Sequence, residues 1–289
     1  MPEARLNIGN VEILSLNDNV AALPLSDVFP EVPAEAWRPY QERYPSGFSG
    51  PDHMLGHFEC YLIRSEGQTI LMDTGVGGAV SNPHSVEAMT GGVDGRLLDE
   101  LQAVGVTPGD INTVFFSHLH FDHVGWNVTH EPGADPRATF PNARYVAHRA
   151  DWEVFQRPEV MELFPSHWDL ALGPLRDLGV LDLLDGERPL TGEVTAIPTP
   201  GHTPGSMSLA VVSGGQRAYI MGDVFHGPTQ ITETDWKFSF DMDGDQGVAT
   251  RTAMIERAES EDAVIAICHH GGFGRVVRAE GRRYWQLVS

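Results

Sequence analysis

Residues 117–125 read SHLHFDHVG, and four metal-type donors, His118, His120, Asp122 and His123, crowd into the middle of that stretch. The run before it, TVFF, is short, apolar and β-branched or aromatic, the pattern of a buried strand. In an extended or turning segment, positions i and i+2 point to the same side. His118 and His120 can therefore face one ion, while Asp122 and His123, as the chain turns, can face a second. Imidazole and carboxylate are suitable donors for zinc and similar divalent metals. By chance, HxHxDH would arise in roughly one chain of this size and composition in five hundred. The run is therefore read as a site, not as scattered solvated histidines.

A metal site needs more ligands, and the chain supplies them in order. His202 lies in TPGHTPGS, Asp223 in IMGDVFHG, and His269 and His270 in IAICHHGG. Each stands where an apolar strand gives way to glycine, which lets the backbone pass close to an ion or substrate. Donors at strand ends converge if the strands share a sheet edge.

The rest of the chain limits the partners. It has 289 residues, 41% hydrophobic and 20% charged, enough for a large core. A formal net charge of −21, with no Lys/Arg run, argues against nucleic acid. The N-terminus lacks a basic-then-apolar signal pattern, and no apolar run approaches the ~20 residues of a membrane helix. A cytoplasmic protein with no membrane partner is expected. Cys60 and Cys268 form no CxxC and are read as buried small apolar residues.

Patterning predicts hairpins over 5–16 and 57–73, a helix over 95–104, a strand over 111–117 and another over 143–149. Short helices broken by proline follow to 178. Strands are expected over 193–198, 206–213, 217–222 and 263–268, with a long helix over 246–260. Residues 20–56, rich in Pro and aromatics, read as an irregular excursion that suits a lid, a pocket wall or a homodimer contact. No repeat or linker divides the chain, so 1–289 reads as a single domain. Strands and helices recur in the same order in each half, which suggests an α/β fold of two packed sheets with helices outside, an αββα sandwich.

These motifs resemble those of the metallo-β-lactamase-fold hydrolases. HLHFDH resembles that superfamily's central motif, TPGHTPGS its third-histidine loop, Gly222-Asp223 its bridging-aspartate motif and Asp73-Thr74-Gly75 its early structural motif. The resemblance implies a four-layer αββα sandwich and two divalent ions, zinc first, with Mn or Fe as alternatives. It implies that His118, His120 and His202 hold one ion. Asp122, His123 and a C-terminal histidine would hold the other, with His269, the first residue after the strand, preferred over His270 for that place. Asp223 would bridge them with a shared water or hydroxide, and Asp122 would also serve as the catalytic proton acceptor. Asp73 is read as a structural carboxylate, and Ser206 is not read as a nucleophile.

Within the superfamily, GDVFHGPTQ, carrying Asp223, His226 and Gln230, resembles the branch containing methyl parathion hydrolase and related lactonases. The resemblance implies hydrolysis of a small ester, a lactone first, with phosphotriesters, aryl esters or thioesters as alternatives. A metal-binding scaffold is the non-enzyme alternative. HGGFG departs from the branch's Pro-Phe-Pro segment, and His226 stands where N-acyl-homoserine lactonases usually carry tyrosine. Expected pocket residues are His226, Phe225, Phe273, His270 and Trp126, joined by Phe29, Trp37 and Phe48 from the excursion. His53, His57, His84, His130, His148 and His167 are read as surface or structural, and Asp241, Asp243 and Asp245 as a solvated helix N-terminus.

Overall fold

The computed structural model describes residues 4–288, and its strands follow from the turn chemistry. β1 (Ala4–Ile8) folds back on β2 (Val11–Pro24) at Gly9, whose φ of 55° favours glycine. β3 (His53–Ser65) returns into β4 (Gln68–Met72) through Glu66-Gly67, both at positive φ as a tight hairpin turn requires. β5 (Thr113–Phe115) then pairs parallel with β4. β6 (Val128–Thr129) and β7 (Arg137–Ala138) make a separate small ribbon, and β8 (Arg144–His148) and β9 (Leu181–Leu184) extend the first sheet in parallel. Helices make the long crossovers from β4 to β5 and from β8 to β9, while the ligand loop and the small ribbon make the one from β5 to β8.

The second sheet is built from β10 (Arg188–Pro189), β11 (Val194–Pro198), β12 (Met207–Ser213), β13 (Gln216–Met221), β14 (Val264–Ile267), β15 (His270–Ala279) and β16 (Arg282–Leu287). Its pairs are antiparallel except β13 with β14, which are joined by the helix Gly244–Ser260. Asp243 caps that helix by accepting a hydrogen bond from Gln246 N at 2.9 Å.

Alternation sorts the side chains into layers. Ile13, Ile63, Met72 and Phe115 of the first sheet meet Leu209, Ile220 and Ala266 of the second in a core between the sheets. Their neighbours Leu14, Leu62, Leu71 and Val114 point outward, onto Leu97, Leu101 and Trp152. On the far side Tyr219 and Ile265 pack on Met254, Ile255 and Ala258 of the long helix. Both sheets are thus covered on both faces, giving the expected four layers. Among the described residues, no helix is long and apolar enough to cross a membrane.

The structure departs from expectation in places. The excursion is narrower than 20–56, because β2 runs to Pro24 and pairs with β3 from His53. Its middle packs Phe29, Trp37 and Phe48 against Trp236 and Phe238. The helix Pro83–Thr90 was not expected. Nor were β15 and β16: glycines at 271, 272 and 274 weaken the strand pattern, and Trp285 covers Gly274 where any side chain would collide with the indole.

Candidate metal centre

β5 ends three residues before His118, and the loop that follows is fastened from below. The Asp73 carboxylate accepts hydrogen bonds from Ser117 N and Ser117 Oγ, both at 2.7 Å, and lies 2.9 Å from His123 Nδ1. Asp73 sits at φ 62°, a left-handed conformation that turns its side chain under the loop. The two sheets are stitched here as well, since Met207 N donates to Ser117 O at 2.7 Å and Glu59 N to Cys268 O at 3.0 Å.

The donors named from the sequence come together. His118 Nε2 and His120 Nδ1 are 2.9 Å apart, and His120 Nδ1 and His202 Nε2 are 2.8 Å apart. Asp223 Oδ2 lies 3.1 Å from His269 Nε2 and 3.2 Å from His202 Nε2, while Oδ1 lies 3.4 Å from His123 Nε2. Asp122 Oδ2 is 3.6 Å from His123 Nε2 and 3.7 Å from His269 Nε2. Three sets of close ligand atoms result: His118, His120 and His202; His118, His123 and Asp223; and Asp122, His123 and His269.

The outer ring nitrogens face acceptors. His123 Nδ1 meets Asp73, His202 Nδ1 meets Asp241 at 2.9 Å, and His269 Nδ1 meets the carbonyl of His57 at 2.9 Å. An N–H spent outward leaves a lone pair pointing inward, which is how metal-binding histidines are oriented. His123 Nε2 is buried with no hydrogen-bond partner. Inward lone pairs this close repel one another unless a proton or a cation lies among them, so the residues present fit divalent ions.

The electrostatics agree. Burial, reinforced by neighbouring histidines, holds His118 and His120 well below the usual histidine range, so both are neutral donors. Burial also opposes charge on His123, but Asp223, Asp122 and Asp73 outweigh it and raise its pKa well above normal. Asp223 is held well below the carboxylate range because His269, His123, His118 and His202 outweigh its burial. An ion bound through His123 Nε2 would compete with a proton there.

Beside the donors opens a cavity of about 200 Å³. Its walls include Met54, Phe58, Phe121, Phe164 and Phe238, with His120, Asp122, His202, Asp223, His226 and His269 at the polar end. Among the described residues, neither Lys nor Arg lines it. His226 stacks on Phe238, with centroids 3.5 Å apart, and its Nε2 lies 3.3 Å from Asp223 Oδ2 without the alignment of a hydrogen bond. Burial pushes its pKa down to about 4. A smaller cavity behind His226 and His269 is walled by Phe29, Trp37 and Phe48.

Three expected pocket residues lie elsewhere. Trp126 turns inward, and its indole N–H donates to Asp18 at 2.8 Å. Phe225 is fully buried in the core beneath the long helix. Phe273 fills the core between the sheets beside Tyr61. His270, one residue past His269 on β15, lines the smaller cavity with His226 and His269 and packs edge-on against Trp285. Asp241 is not solvated as expected, since its side chain is 1% exposed and bonded to His202. Cys268 is buried as expected but not in purely apolar company, for its Sγ lies 2.9 Å from Asp223 Oδ1.

Two buried carboxylates that the motifs did not mark hold the loops in place. Asp18 accepts from Val76 N (2.7 Å), Gly77 N (3.3 Å), Leu97 N (2.8 Å) and the Trp126 indole. Asp151 accepts from Leu119 N (3.2 Å), Thr203 Oγ1 (2.9 Å) and Gly205 N (2.6 Å), tying the loop of His118 and His120 to the loop of His202. Burial raises the pKa of Asp151 to about 6. An isolated Asp on a strand or in a helix's first turn carries no sequence signal for such a role.

Comparison with known proteins adds to this geometry. The family model described as the metallo-beta-lactamase superfamily matches residues 59–270. An N-acyl homoserine lactonase of a Bacillus species is 32% identical over 165 residues, covering 53% of this chain. That match covers 57% of the lactonase, so the chain spans a little over half the length of the curated relatives it matches first. An uncharacterised Bacillus subtilis protein, YobT, is 25% identical over 80% of this chain and 88% of its own length. Among solved structures, a dizinc quorum-quenching lactonase, AidC, with a product bound, superposes with a TM-score of 0.81 at 21% identity, covering 99% of this chain and 97% of that one. A probable metal-dependent hydrolase from Staphylococcus aureus gives 0.81 at 22% identity, covering 98% and 99%.

Proposed function

Because the chain belongs to the metallo-beta-lactamase superfamily, we propose that it is a dinuclear, zinc-dependent hydrolase of small uncharged esters, lactones first. One observation carries the reading: at the polar end of an apolar cavity, Asp223 lies 3.2 Å from His202, 3.1 Å from His269 and 3.4 Å from His123, donors drawn from both clusters. His118, His120 and His202 would hold one ion and Asp122, His123 and His269 the other, with Asp223 between. When bound, such ions lower the pKa of a coordinated water to around 7 and polarise an ester carbonyl.

The protein's own residues do the rest. Asp73, Asp241 and the carbonyl of His57 orient the histidines. Asp122, half-buried at the cavity, takes a proton from the attacking water on its carboxylate and returns it to the leaving alkoxide. The ring opens and gains one water: hydroxyl at the acyl carbon, proton at the freed alcohol. Phe58, Phe121, Phe164 and Phe238 receive the apolar part of the substrate and exclude bulk water. Away from the donors the described walls are mostly apolar, without Lys or Arg to grip an anionic tail, which suits an uncharged acyl or aryl group.

The apolar walls suit a second reading as well, hydrolysis of uncharged phosphotriesters or aryl esters. Elemental analysis of the purified protein, beside assays on short- and long-chain lactones, aryl esters, a thioester and a phosphotriester, tests both. About two ions per chain with lactone-selective turnover supports the first reading. Two ions with only phosphotriester or aryl-ester turnover moves the substrate. A chain that binds no metal refutes both.

A further inference from the structure

Asp223 is the hub of the centre, and most of its close side-chain neighbours are histidines. One is not. Cys268 Sγ approaches Oδ1 to 2.9 Å, closer than any histidine nitrogen comes to that oxygen. Cys268 is 1% exposed and directly precedes His269 at the end of β14. Its backbone is pinned, because its carbonyl accepts from Glu59 N at 3.0 Å and the next carbonyl accepts from His57 N at 3.3 Å. The sulfur therefore has little freedom to leave the carboxylate. A thiolate and a carboxylate this close in a dry interior would repel, so the contact is an S–H donating to oxygen.

We propose that Cys268 is a positioning residue of the metal centre, whose thiol holds Asp223 Oδ1 so that the remaining carboxylate lone pairs face the two ion sites. The inference rests on the dinuclear reading of the site. A carboxylate offers about four lone-pair directions, and one spent on a fixed neutral donor stops the group from rotating. Partners that orient metal ligands in this way typically affect metal affinity by 10- to 100-fold. The geometry also allows a rival role, for Cys268, Asp223 and His269 place ligand atoms close enough to share an ion. In that role the sulfur would bind the metal itself.

The test compares wild type with Cys268→Ser and Cys268→Ala. Zinc per chain is counted, and the zinc dissociation constant is measured by competition with a chromophoric chelator. The melting temperature of the zinc-free proteins reports folding. Serine keeps a donor and should stay within a few-fold of wild type, while alanine should bind zinc about 10- to 100-fold more weakly with a similar zinc-free melting temperature. Alanine that binds zinc as tightly as wild type overturns the inference and leaves the metal centre standing. A wild type that binds no zinc overturns both. The cobalt-substituted wild type needs no variant: a sulfur-to-cobalt charge-transfer band would make Cys268 a ligand and overturn the positioning role, while its absence supports it.

Discussion

Replacing Asp18 by alanine should destabilise the fold without touching a metal ligand. Asp18 lies on β2, yet its carboxylate collects the N–H groups of Val76 and Leu97 and the Trp126 indole at 2.7–2.8 Å. These donors come from the turn after β4, the start of the helix Leu97–Ala103 and the segment just past His123. A buried donor left unpaired costs about 1–3 kcal/mol. Water entering the vacated space would pair some of the three, so we expect a loss of about 4 kcal/mol against a typical total of about 5–15. The pH dependence has a definite sign. Burial outweighs the hydrogen bonds and raises the pKa of Asp18. A raised carboxyl binds its proton more tightly in the folded state, so that contribution is full below the ordinary aspartate range and fades as pH rises through the folded value. The gap between wild type and variant should therefore be wider in mild acid than at neutral pH. Urea unfolding of the zinc-free proteins, followed by tryptophan fluorescence at both pH values, measures it. A loss below about 1 kcal/mol, or a gap that widens toward neutral pH, would refute the reasoning.

Other outcomes are equally open to measurement. Asp122→Asn should lower kcat by about 10²- to 10⁴-fold and weaken the ion shared with His123 and His269; unchanged turnover would remove Asp122 from the chemistry. Saturating the zinc-free protein with zinc at 100 times Kd should add about 2.7 kcal/mol of stability, read as a rise in Tm. Burial drops the pKa of His167 and His270 from 6.5 to about 4. Such histidines are protonated more readily when unfolded, so stability should fall as pH drops from 6.5 toward 4, by about 3 kcal/mol for each at full effect. His270→Gln should flatten that slope, and a variant as acid-sensitive as wild type would contradict it.

What was legible in the sequence was whatever local chemistry dictates. The hairpin of β3 and β4 shows in Glu66-Gly67, and the ligand motifs show because donors beside glycine at strand ends are rare. What was not legible depends on distant packing. Trp126, Phe225 and Phe273 stand within a few residues of site motifs, yet alternation turns Phe225 and Phe273 into the core and Asp18 draws Trp126 inward. Asp241 looks like one member of an acidic run, and only the fold brings it against His202. β2 runs on to Pro24 because β3 lies beside it, a pairing that proline and alanine in β2 do not announce.

The chain divides cleanly at one short stretch. β1 to β5, with β8 and β9, are complete by Leu184, and β10 to β16 begin at Arg188. Asp185 and Glu187, between them, are exposed. The first part carries His118, His120, Asp122 and His123, and the second carries His202, Asp223 and His269. Two fragments cut at 185–187 would each own a sheet with one bare inner face and an incomplete set of donors. Neither could close the centre alone. Metal uptake would then be a coincidence signal, given only when both fragments are present and seated, and the protein could serve as a split reporter whose output is the ion it captures.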